Sequence, residues 1–212
     1  AAKWLHKPEN MESFGMKFGA EAVIRVRQWT LKISGVPVSF VPSERAYREL
    51  ERENGWKERD IIVAHWIKPP LRRKPNQRTA YLLVKVTSDE VANDAMMNGL
   101  LYRGMKLLPD RQRKEVRRCL KCQKFEPAHL AKDCTNKPAC GTCGAEDHTT
   151  QDCSVPPGFG RFCVNCDEYG HASWERVCPA FIHMNRKIQA KDPFEKYRFF
   201  PRADDPRSWE LL

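Results

Sequence analysis

Nine cysteines fall between Cys119 and Cys178 and sort into three sets without remainder, each with one histidine. The first is Cys119-x2-Cys122-x6-His129-x4-Cys134 and the second is Cys140-x2-Cys143-x4-His148-x4-Cys153. The third is Cys163-x2-Cys166-x4-His171-x6-Cys178. Thiols and imidazoles gathered this way can cross-link, catalyse or hold metal. An odd number of thiols cannot all pair within one chain. A Cys-x2-Cys turn aims two sulfurs at one point, and tetrahedral zinc takes four N/S ligands, so a histidine and a third cysteine close each site. Four protein ligands leave no open position for water, so the chemistry predicted is structural zinc, three Zn2+ ions in all, rather than a catalytic metal. Incidental free thiols are the alternative, and three repeats of one template weigh against them. His6, His65 and His183 have no partner at ligand or triad spacing and are read as surface or core residues.

Charge points to a partner. The 212 residues carry 37 Lys+Arg against 27 Asp+Glu, a net charge of +10, which favours a polyanion. The excess is concentrated beside the metal sets. Arg111, Arg113, Lys114, Arg117, Arg118 and Lys121 lead into the first, while Arg186 and Lys187 follow the last. The middle set is locally acidic, with Glu146, Asp147 and Asp152. A run of charge is commonly a solvated face, but one that enters a zinc module and another that leaves one suggest a nucleic-acid surface. No apolar run approaches the roughly 18 residues a membrane span needs, so a soluble protein with no membrane role is expected. Thiols set at metal-ligand spacing rather than paired as disulfides go with an intracellular, reducing location, cytoplasm or nucleus. A chain opening on Ala1 is read as a piece of something longer.

The elements that position these residues follow from pattern. Residues 1–21 read as a linker or extension. From 22, AVIRVRQWTLKISGVP alternates, with Leu31 and Ile33 on one face and Thr30 and Lys32 on the other, and is expected to end at the Gly35-Val36-Pro37 turn. A helix is predicted from an Ser43 N-cap to Gly55, with Ala46, Tyr47 and Leu50 as its apolar stripe. IIVAHWI (61–67) and TAYLLVKV (79–86) read as strands. Ser88 opens a second helix that ends at Gly99, and a short strand near Lys106–Leu108 is expected to close the domain.

The predicted order is β-α-β-β-α-β, a split βαβ unit with both helices on one face of the sheet. The fold class is therefore α+β, and the domain resembles an RNA-recognition motif (RRM), whose open sheet face binds RNA. That face is poor in rings here. Tyr81 is the one stacking platform, beside Lys32 and Lys85, so it is read either as a weak RNA contact or as a protein-contact surface. The domains expected are the RRM-like unit (22–109), a basic linker (110–118), CCHC knuckles at 119–134, 140–153 and 163–178, and a basic extension (179–212).

A knuckle of this size has no core of its own, and zinc supplies its ordering energy. Ordered, it can offer apolar and aromatic side chains to unpaired bases. Leu120 and Phe125 are the candidates in the first; Val164, Tyr169 and Trp174, with Phe162 just before them, are those of the third. Packing between knuckles is the alternative for these rings, Trp174 above all. The middle knuckle has Gly141 and Ala145 at comparable places and reads as a spacer or a protein contact.

CVNCDEYGHASWERVCP, with its long gap between His171 and Cys178, and the FIHMNRKI that follows make the resemblance more specific. An RRM-like domain, a basic linker and three such knuckles are similar to the Gag-like proteins encoded by the first open reading frame of non-LTR (LINE-type) retrotransposons. The resemblance covers roughly residues 22–205, strongest from Cys119 to Arg186; the six residues ahead of His129 depart from the usual spacing. It implies a chaperone that coats single-stranded RNA, or single-stranded DNA, self-associates, and joins a reverse transcriptase in a ribonucleoprotein. It implies no enzyme activity, in keeping with a chain that has no P-loop, carboxylate metal cluster or nucleophile–base pair. The rivals are a domesticated or cellular RNA-processing factor, the nucleic-acid-binding part of a larger enzyme, and a protein-interaction scaffold.

Overall fold

The structure is a computed structural model that describes residues 8–18, 27–156 and 159–212. The expected start of the first strand at 22–26, and His6, lie outside those residues. The chain divides into two compact units, Ala1–Gln112 with Arg198–Glu210, and Arg113–Tyr197 with Leu211–Leu212. The first is a mixed α+β unit built on an antiparallel sheet; the second contains the Cys/His clusters. No helix among the described residues is long and apolar enough to cross a membrane.

Helix α1 (Pro8–Phe18), in a stretch read as linker, begins on a proline, whose fixed φ suits a first helical turn. Strand β1 (Trp29–Pro37) buries Trp29, Leu31 and Ile33 and turns Thr30 and Lys32 the other way, as its alternation predicts. It does not stop at Gly35. That residue takes φ +73 and absorbs a register shift between Ile33 and Val36, so the strand continues past a bulge to Pro37.

Helix α2 (Glu44–Glu53) starts where Ser43 Oγ accepts the Ala46 N–H. It ends at Asn54, with Gly55 in the left-handed region just beyond. Tyr47 and Leu50 enter the core. Glu51 is buried as well, accepting from Arg48 at 2.5 Å and from the Ile61 N–H at 2.8 Å, which fixes the entry to strand β2 (Ile61–Trp66). The Tyr47 hydroxyl accepts from Ala64 N at 3.0 Å and donates to Ala64 O, tying helix to strand.

Strand β3 (Thr79–Val86) follows, then helix α3 (Asp89–Asn98), capped by Ser88 at one end and Gly99 at the other. The closing strand differs from expectation. Strands β4 (Leu100–Tyr102) and β5 (Met105–Leu107) pair with each other as a hairpin outside the main sheet. The fourth strand is instead β6 (Pro109–Arg111), which pairs with β1 and gives the order β2-β3-β1-β6.

The C-terminal Arg198–Glu210 rejoins this unit, so the stretch read as one extension is divided. Phe199 is buried in the core. The Asn93 amide donates to Phe200 O at 2.8 Å and accepts from Phe200 N at 2.9 Å, standing in for a strand partner. Arg202 reaches Asp89 at 2.9 Å and Asp204 at 2.7 Å.

Candidate metal centres

All three Cys/His sets repeat one local turn. The carbonyl of the first cysteine accepts the N–H four residues on: Gln123 to Cys119, Gly144 to Cys140 and Asp167 to Cys163, each at 2.9 Å. Those three residues all have positive φ, although only one is a glycine. The second contact is a returning N–H, Cys119 to Lys124 O at 3.0 Å and Cys140 to Ala145 O at 2.7 Å. In the third set it becomes a miniature ladder between β7 (Phe162–Cys163) and β8 (Glu168–Tyr169). This turn brings the two cysteines of each Cys-x2-Cys together.

In each set the four donor atoms lie within 4.8 Å of one another. Tetrahedral zinc, with Zn–S near 2.3 Å and Zn–N near 2.0–2.1 Å, requires S···S edges of about 3.8 Å and S···N edges of about 3.5 Å. Cys122 and Cys134 Sγ lie 3.4 and 3.2 Å from His129 Nε2, Cys143 Sγ lies 3.4 Å from His148 Nε2, and Cys178 Sγ lies 3.6 and 3.5 Å from the sulfurs of Cys163 and Cys166. These are ligand edges, far longer than a disulfide bond of about 2.05 Å. His171 Nε2 is a buried nitrogen without a hydrogen-bond partner, as expected of a lone pair reserved for metal. The three sets fit three Zn2+ ions.

The histidines are oriented from behind. His129 Nδ1 lies 2.5 Å from Pro127 O, which is what the longer first spacing supplies, and His148 Nδ1 lies 2.7 Å from Asp147 Oδ1. With the proton on Nδ1, Nε2 faces the sulfurs. Without metal, the donors share protons unevenly. Burial pushes Cys140 up, but backbone N–H groups of Cys143 and Thr142 outweigh it and bring the thiol down to about 6. Burial drives Cys143 to about 11, and bonds to Cys153 and Asp147 hold His148 near 9.

The sets are docked on one another within the second unit. Asn165 of the third accepts the Phe125 N–H at 2.9 Å and donates to Gln123 O at 2.8 Å, both in the first. The second and third join through Phe162 N to Thr142 O at 2.9 Å and Ser173 N to Gly141 O at 2.8 Å. At Gly144, φ is +80 and a Cβ would stand 2.6 Å from the Phe162 ring. The middle set, read as a spacer or a protein contact, is thus packed against the third. Nothing in the sequence flagged Asn165, whose partners lie about forty residues upstream.

No family model, curated protein or solved structure matches the chain.

The expected contact residues separate into exposed and built-in groups. Leu120 and Tyr169 stand out at 73% and 76% exposure, and Lys114, Arg117, Arg186 and Lys187 are exposed. Val164 and Phe162 are half-buried, and Phe162 packs edge-on against Tyr169. Trp174 serves the packing alternative in part: its indole N–H donates to Thr142 Oγ1 at 3.1 Å, yet 45% of the residue remains exposed. Phe125 is a correction. It is 4% exposed against Phe181, so its ring is closed to a base.

Several of the basic residues are likewise structural. Arg111 is buried in the first unit, donating to Phe199 O at 3.4 Å and lying over the Phe200 ring. Arg113 grips Glu195 at 3.1 Å and Tyr197 O at 3.0 Å, and Lys121 Nζ donates to Cys134 O at 3.0 Å. Arg118 is half-buried, and that burial lowers its pKa, against a smaller coulombic pull from the sulfurs of Cys163 and Cys119. A basic run read along the chain cannot distinguish a guanidinium facing solvent from one folded into the structure. On the sheet, Tyr81 is half-exposed while Lys32 and Lys85 are half-buried.

Proposed function

We propose that this chain is a zinc-dependent binder of single-stranded nucleic acid, with RNA as its principal partner and no enzyme activity of its own. The observation that carries the reading is the docked array. Three four-ligand clusters share one unit that keeps Tyr169, Leu120 and part of Trp174 exposed, together with Lys114, Arg117, Arg186 and Lys187. Rings offered to bases beside cations offered to phosphates are the two components of single-strand recognition. Three thiolates and an imidazole fill zinc's coordination sphere, which favours a metal that orders the backbone over one that activates water.

The first unit supports the same reading. Its element order and its strand order, β2-β3-β1-β6, suit an RRM-like domain. An RRM-like unit joined to three CCHC sets favours a Gag-like role, in which the protein coats a transcript, self-associates and joins a reverse transcriptase. The test of binding is the affinity of zinc-loaded protein for a fluorescein-labelled single-stranded RNA across a salt series. About five phosphate contacts should give log K against log salt a slope near −3.5. A flat response would remove the reading. Crosslinking in native cells tests the role: recovery dominated by the protein's own transcript supports the Gag-like reading, and a broad set of host transcripts points to a cellular factor.

A further inference from the structure

From Ile61 to Ser88 the chain contains no aspartate or glutamate, yet it carries Lys68, Arg72, Arg73, Lys74, Arg78 and Lys85. Five of these six lie in the connection between β2 and β3, far in sequence from the Cys/His sets. In a protein that pairs many of its arginines, this concentration stands apart: among the described residues none of the six has an ion-pair partner. Lys68, Arg72, Lys74 and Arg78 are exposed.

The connection is also held in shape. Pro69, Pro70 and Pro75 restrict its backbone, and a 3-10 turn spans Pro70–Arg72. Arg72 N and Arg73 N donate to Pro69 O and Pro70 O, and Gln77 N donates to Lys74 O at 3.1 Å. Arg73 lies over the Trp66 ring at 4.2 Å and donates to Lys68 O, anchoring the loop to β2. Leu71, in the 3-10 turn between Pro70 and Arg72, is 100% exposed. Uncompensated cations on a pre-shaped loop meet a polyanion at a low ordering penalty, because the loop has little conformational freedom left to lose. A fully exposed leucine in that turn suits apolar contact with unstacked bases.

We propose that the β2–β3 loop is a second nucleic-acid contact, on the RRM-like unit and separate from the Cys/His array, in which Arg72, Lys74 and Arg78 bind phosphates of single-stranded RNA. Its partner is fixed by charge and backbone rather than by base edges, so the contact is independent of sequence. The inference rests on the nucleic-acid reading of the chain and adds to it a site that the metal does not build.

The experiment compares three zinc-loaded, full-length proteins binding a fluorescein-labelled 40-nucleotide uridine RNA between 50 and 200 mM salt. They are the wild type, Arg72→Gln/Lys74→Gln/Arg78→Gln, and a control with the same charge loss, Arg45→Gln/Arg52→Gln/Lys57→Gln. The control positions are exposed cations elsewhere on the same unit. Losing three phosphate contacts should lower the magnitude of the log–log salt slope by about 2. Over that fourfold rise in salt the wild type then loses about 20-fold more affinity than the loop variant, while the control keeps the wild-type slope. An unchanged slope in the loop variant, or an equal change in the control, overturns the loop site and leaves the array reading standing. A wild type that does not bind removes both.

Discussion

At the scale of single residues, aromatic side chains in like positions have opposite fates. Tyr169 and Phe125 both lie inside a Cys/His set, and each reads as a platform from its position alone. The structure leaves Tyr169 exposed and seats Phe125 against Phe181, with its N–H on Asn165. Tyr169→Ala should therefore weaken RNA binding by about 1–3 kcal/mol, the worth of one base–ring stack, with zinc content unchanged. Phe125→Ala should act through folding, lowering the stability of the array by roughly 3 kcal/mol as core phenylalanines do. Filter binding alongside thermal melts separates the two, and the reverse assignment of effects would reject it. The difference was not legible in the sequence because Phe181 and Asn165 are distant along the chain and share no period with Phe125. The twelve ligands were legible, because metal chemistry fixes both residue type and short-range spacing.

At the scale of elements, signals confined to a few residues were reliable and signals settled by pairing were not. Ser43 and Ser88 cap their helices as read, since a cap is complete within four residues. The sequence points to Lys106–Leu108 for the final strand whereas the sheet takes β6, because β5 and β6 are each three residues long and only tertiary pairing decides which of them joins. The Cys/His turn is an element of the local kind, and its protons carry a prediction. In the metal-free second set, Cys143 at about 11 and His148 at about 9 hold protons at pH 7, whereas Cys140 at about 6 is mostly ionised. Zinc uptake must displace at least the first two. The affinity of this set should then rise with pH by at least about two log units per unit between roughly pH 7 and 8, and fall as acid restores the protons. Competition against a chelator of known affinity, repeated at several pH values, measures the slope; a value near zero would mean that the donors are already free of protons.

At the scale of the whole molecule, the array is an insertion within the first unit. The chain leaves that unit after Gln112 and returns at Arg198, where Phe199 enters the core and Asn93 clasps Phe200. Two perturbations of equal apparent severity should therefore differ in reach. Chelating zinc removes the ordering energy of residues 113–197 and turns them into a long loop, but closure entropy grows slowly, by about 0.6 kcal/mol per doubling of length. The first unit should stay folded, with amide protection retained at Phe200. Deleting the chain from Arg198 onward leaves the zinc ligands in place yet opens the Phe199 pocket to water and removes both hydrogen-bond partners of the Asn93 amide, each bond worth about 0.5–1.5 kcal/mol net. Hydrogen exchange followed by peptide should show the first unit loosened by truncation and spared by chelation. If chelation instead releases Phe200 and the sheet together with the array, the clasp depends on metal, and the two units fold as one.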